Sequence, residues 1–125
     1  MDSYFLDTYA LIEIIKGNNN YSKYLTKEIY TTIMNLYELY YSLFRDYGKD
    51  TARKYFNLFK KIIINFNDEN IFSASEFKLS NREKRISYTD ALGYAIALNK
   101  MSKFVTGDKA FRGVNNVEFV KWNPK

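Results

Sequence analysis

Four acidic residues stand where carboxylates could do chemistry: Asp7, Glu38, Asp90 and Asp108. Few other side chains compete with them for that role. The chain has no histidine and no cysteine. A Ser-His-Asp triad, an imidazole base, a thiolate nucleophile and a His- or Cys-bound zinc site are therefore excluded. What remains is lysine, hydroxyl and carboxylate chemistry, or a metal held by oxygen. Carboxylates and water are the ligands that Mg²⁺ or Mn²⁺ prefers, and a few carboxylates suffice.

Each acid also has a structural reading. Asp7 precedes a helix and could cap it. Asp90 completes Ser87-x-x-Asp90, a variant capping box. Asp108 follows Thr106-Gly107 and fits a turn or a cap. Glu38 lies among Leu36, Tyr37, Leu39, Tyr40 and Tyr41. There it faces solvent beside an apolar stripe, or it is buried at a cost. Convergence of all four is harder to explain by stability. Two like charges 4 Å apart repel by about 4 kcal/mol at an effective dielectric near 20. A divalent cation gives a reason to gather them.

The elements that would position these acids follow from pattern. Residues 3–6 (SYFL) form a short apolar strand that ends at Asp7. A helix over 9–16 stops at Gly17, and a short helical piece follows around 21–25. Residues 28–32 read as a second strand. Ile33, Leu36, Tyr37, Tyr40 and Phe44 recur at helical spacing over 33–47, which Gly48 ends. Asp50 reads as the cap of a helix over 51–61, and 62–66 (IIINF) as a third strand. Residues 68–85 and 88–100 are helical, the second opened by Ser87. Residues 103–106 and 117–120 give two further strands. The only proline, Pro124, lies in the tail.

This alternation predicts a three-layer α/β/α sandwich with a mostly parallel sheet of four to five strands. A length of 125 residues suits one domain spanning 1–125. In such sheets the ligand site lies beyond the carboxyl ends of the strands. Asp7 and Asp108 follow strands, and Glu38 and Asp90 lie near the starts of helices at that edge.

The net charge of +5 and a pI near 9.3 suit an anionic partner, or solubility alone. No signal-peptide pattern opens the chain and no run is long enough for a membrane span. A cytoplasmic protein is expected.

Four segments together resemble the PIN domain, and within it the VapC-type toxin ribonucleases. They are YFLDTYALIEII, TTIMNLYELYYSL, SYTDALGYAIAL and KFVTGDKAF. The resemblance rests on Asp7-Thr8 after the first strand, Glu38 in the helix after the second, Asp90-Ala91 opening a late helix, and Thr106-x-Asp108 followed by Phe111. It implies a Mg²⁺- or Mn²⁺-dependent endoribonuclease that leaves a 5′-phosphate and a 3′-hydroxyl. Asp7, Glu38, Asp90 and Asp108 would hold the metal or its waters, and Thr106, with Thr8 or Ser87, would orient them. It also implies a homodimer and a small antitoxin partner. Lys109, Arg112, Arg82 and Arg85 are candidate contacts to RNA phosphates, though each also suits a solvated surface. The crowding of Tyr37, Tyr40 and Tyr41 departs from relatives that carry smaller apolar residues. Core, dimer interface and base-stacking surface are the roles open to it. A processing nuclease outside any toxin pair and a non-catalytic RNA-binding domain are the alternatives. A phosphoacceptor receiver domain fits the order of acids poorly.

Overall fold

The computed structural model describes residues 2–121. Four strands, β1 (Ser3–Leu6), β2 (Glu28–Tyr30), β3 (Lys103–Thr106) and β4 (Val117–Phe119), form one sheet in the order β2-β1-β3-β4. Every pairing is parallel. The helices are α1 (Thr8–Ile15), α2 (Asn19–Ser22), α3 (Ile33–Tyr47), α4 (Lys49–Phe59), α5 (Asp68–Ser80) and α6 (Tyr88–Asn99).

Strand alternation sorts the core into two halves. Tyr4, Leu6 and Val105 project to one face, where residues of α1, α2, α3 and α4 cover them. Phe5 and Phe104 project to the other and pack with α5 and α6. Phe5, Leu6, Phe104 and Val105 are fully buried. Their burial on both sides is why β1 and β3 read as continuous apolar runs. Helix α6 lies very close to the sheet because Gly93 has no side chain. A Cβ there would stand 2.6 Å from Cε1 of Phe5.

Three expectations need correction. Residues 62–66 are not a strand. Only Ile63 pairs, through one parallel bridge to Thr31 just past the end of β2. A 3-10 turn at Lys60–Ile62 takes the start of the run, and an Asn67–Asn70 capping box opens α5 directly after it. Second, Asp50 is not the cap of α4. The helix begins at Lys49 after Gly48, whose φ of 95° suits glycine, and Asp50 sits in the first turn, where its charge favours the helix N-terminus.

Third, the buried stripe of α3 is Asn35, Leu36, Leu39 and Leu43. Ile33, Tyr37 and Phe44 are instead exposed. The leucines fit the sheet at spacings of three and four. Tyrosine tolerates the wet side because its hydroxyl meets water.

Candidate metal centre at the carboxyl edge of the sheet

All strands run the same way, so their carboxyl ends make one edge. Helices α1 and α3 leave from that edge, and α6 starts there before returning through β3. The N-terminal ends of three helices thus supply some positive potential. Each of the four acids reaches this edge on its own element.

Asp7 sits just past β1 and is 1% exposed. Its Oδ1 accepts the N–H of Ala10 at 2.8 Å and caps α1. The Thr106 hydroxyl also bonds to it. Burial holds its pKa well above the ordinary range, and the charges of Asp90 and then Asp108 raise it further. Asp90 lies in the first turn of α6, whose cap Ser87 accepts the Asp90 N–H at 3.1 Å. Burial, Asp108 and Glu38 push the Asp90 carboxyl up to about 7.

Asp108 follows β3. Its N–H donates to Thr106 Oγ1 at 3.0 Å, and its Oδ1 accepts the Ala110 N–H at 3.0 Å. The backbone can turn here because Gly107 passes under two rings. A Cβ at Gly107 would lie 2.2 Å from Cε1 of Tyr9 and 2.6 Å from the Tyr21 hydroxyl.

The caps expected of Asp7 and Asp108 are present, but of the Ser87-x-x-Asp90 box only the Asp90 N–H to Ser87 Oγ half forms, so the Asp90 carboxylate caps nothing. The acids sense one another at this edge, yet Asp7, Glu38 and Asp108 are each engaged by a neutral donor of their own neighbourhood. Among the described residues, no group of three or more acids is drawn close enough to hold a metal ion. Mutual repulsion accounts for this spacing: carboxylates take N–H and O–H partners and keep apart. Nor does a cation offset them. The ion pairs among the described residues are Lys16–Glu13 and Arg45–Asp46. The donor set is all oxygen, negative and short of positive partners. That chemistry fits a hard divalent cation.

A family model for the PIN domain matches residues 4–117. The chain belongs to the PIN-domain family. No curated protein matches the sequence significantly. Solved structures of similar fold include VapC20 of Mycobacterium tuberculosis, described as a sarcin–ricin loop cleaving toxin. It has 17% identity and a TM-score of 0.76, and the match covers 92% of this chain and 97% of that one. VapBC2 of Rickettsia felis, bound to a promoter DNA fragment, has 21% identity and a TM-score of 0.74, covering 97% and 99%. VapBC-1 of nontypeable Haemophilus influenzae has 14% identity and a TM-score of 0.72, covering 96% and 98%.

In this PIN domain Glu38 is set by a relay that the sequence did not reveal. Thr32 Oγ1 donates to Asn35 Oδ1 at 2.7 Å, and Asn35 Nδ2 donates to Thr8 Oγ1 at 3.2 Å. Thr8 Oγ1 in turn donates to Glu38 Oε1 at 2.7 Å. Asn35 is fully buried, and its position one turn before Glu38 in an apolar helix was the available signal.

The candidate phosphate contacts lie on the same edge by topology. Lys109 and Arg112 follow β3, and Arg82 and Arg85 precede α6. All four are exposed. Two have neighbours already. The Arg112 guanidinium is 5.2 Å from the Phe119 ring centroid, and Arg82 donates to the Leu79 carbonyl at 3.2 Å. Arg85 adopts a left-handed conformation with φ of 57°. No helix of the described residues is long and apolar enough to cross a membrane.

Proposed function

We propose that this PIN domain is a Mg²⁺- or Mn²⁺-dependent endoribonuclease and the toxin of a VapBC-type pair. The observation that carries the reading is the mutual repulsion of Asp7, Asp90 and Asp108 at the carboxyl edge, without a protein cation to offset it. Membership of the PIN family supports a nuclease, and the VapBC neighbours support an antitoxin partner.

Asp7, Glu38, Asp90 and Asp108 would hold the cation directly or through water. When bound, it supplies water activation and charge stabilisation at a phosphodiester. The chain's own groups do the positioning. Ala10 N–H and the Thr106 hydroxyl fix the Asp7 carboxylate, and Thr8 fixes one oxygen of Glu38. Lys109, Arg112, Arg82 and Arg85, all exposed beside the edge, would meet the RNA backbone. The reading extends to one domain over 1–125, a homodimer and a cytoplasmic site of action.

Asp7→Asn and Asp90→Asn test it. Asparagine removes the charge at both positions and at Asp7 keeps the oxygen that caps α1. Each should abolish metal-dependent cleavage while circular dichroism stays native, as seen by sequencing RNA ends after incubation with wild type and variants. Equal cleavage by all three proteins would sink the assignment.

A further inference from the structure

Helix α3 shows water more aromatic surface than its packing requires. Tyr37 is 70% exposed and Tyr41 is 59% exposed. Four residues apart, they lie one above the other on one helix face. Together with Thr8, Glu38, Ser42 and Arg45 they line a cleft of about 550 Å³. That volume is in the range of sites that hold a small organic group.

Two features decide what the cleft takes. Its wall includes Thr8 and Glu38, the hydrogen-bonded pair at the acidic edge. An occupant of the cleft is therefore continuous with whatever lies on the acids. At the other end stands Arg45, 5.7 Å from the Tyr41 ring centroid. It is paired with Asp46 through two hydrogen bonds, of 2.8 and 3.1 Å, but the pair is exposed to solvent, where a phosphate can compete for the guanidinium. Acids at one end, flat rings between and a cation at the far end match a nucleotide strand. They fit a basic protein arm poorly, since Arg45 would repel it.

We propose that Tyr37 and Tyr41 form a nucleobase subsite, where a base next to the scissile phosphodiester stacks while Arg45 meets a neighbouring phosphate. This rests on the nuclease reading above. It assigns the exposed tyrosines of α3 a role in choosing where the strand is cut. Every base offers a π-face, so the subsite grades bases by stacking strength more than by hydrogen-bond pattern.

The test uses a single-stranded oligoribonucleotide that wild type cuts, and copies with an abasic residue at each position flanking the cut. With wild type, one abasic position should lower kcat/KM about tenfold. Tyr37→Leu/Tyr41→Leu should lose about tenfold on the intact strand and show no further abasic penalty. Tyr37→Phe/Tyr41→Phe keeps the rings and should recover wild-type behaviour, which separates stacking from a folding defect. The inference is overturned if the leucine variant cuts the intact strand as wild type does, or keeps the abasic penalty. Unchanged cleavage with lost binding to a partner protein would assign the rings to that protein and overturn it equally. Wild-type cleavage with indifferent tyrosine variants defeats this inference alone. No cleavage by wild type defeats it together with the nuclease reading.

Discussion

The two ends of one small sheet are built on opposite terms. At the amino end, polar groups meet neutral partners. Ser3 and Ser102 bond to each other through their hydroxyls, and Asn116 Nδ2 donates to the Ser102 carbonyl at 2.7 Å. No carboxylate takes part in these bonds. At the carboxyl end, Asp7 is fully buried, and burial first, then the charges of Asp108 and Glu38, push the Asp90 carboxyl up to about 7. The bonds at one end join neutral groups, and the other end stores repulsion. The difference teaches where stability was given up, and such a concession at the ligand edge of a parallel sheet marks that edge as the candidate site.

The amino end should show the larger effect on stability. Asn116 has φ of 65°, a conformation that Ala adopts at a cost. Asn116→Ala removes its hydrogen bond and adds that strain. A loss of about 2 kcal/mol is expected, seen as a melting temperature lower by about 8 °C. Asn116→Gly relieves the strain and should recover roughly half. RNA cleavage per folded molecule should not change in either. Loss of cleavage in step with stability would show that the two ends are not separable.

The carboxyl end should respond with the opposite sign. The folded pKa of Asp90 lies near 7, above its ordinary 3.8. Between those values the unfolded chain has lost the proton that the folded one keeps. Stability of the metal-free protein therefore falls as pH rises from about 4 to about 7 and levels above that. Asp7 is shifted in the same direction and adds to the fall. Asp90→Asn should flatten the slope. At pH 7.5 without metal it should raise the melting temperature by about 4 °C. Added Mg²⁺ should stabilise wild type at pH 7.5 more than at pH 5, and Asp90→Asn little at either. A lower melting temperature for Asp90→Asn across the range would show that the Asp90 carboxylate stabilises the fold and is not held there under repulsion.

Much of this contrast was legible in the residues. The runs at 3–6 and 103–106 marked buried parallel strands, and the acids after them marked the edge. The run at 62–66 misled because an apolar stretch looks the same whether or not a partner strand is in reach. The stripe of α3 misled at Ile33, Tyr37 and Phe44, of which only Tyr37 has a hydroxyl that makes exposure cheap; a periodicity of apolar residues does not say which face meets the sheet. Sequence order brought all four acids to the carboxyl edge but carried no distances. It therefore could not show that no three of them close around a point. Gly107 was hidden for a similar reason, since its need arises from Tyr9 and Tyr21, which pack on it only in space.

The smallest expected effect concerns the link that prepares Glu38. Thr8 is half-buried and gives its hydroxyl proton to Glu38 while accepting from Asn35. Thr8→Val keeps the shape and cuts both bonds. Glu38 then loses a neutral anchor, and the buried Asn35 amide loses an acceptor. Weaker positioning should cost about 1 kcal/mol at the transition state, about fivefold in kcat/KM. Thr8→Ser restores the hydroxyl and should restore the rate. The apparent Mg²⁺ requirement gives a second readout, since a loosened Glu38 should demand more cation for half-maximal cleavage in Thr8→Val alone. If Thr8→Val melts earlier but cuts RNA with unchanged kcat/KM and Mg²⁺ requirement, the relay belongs to the stability of α1 and α3. The carboxyl end would then share more of the amino end's character than its charges imply.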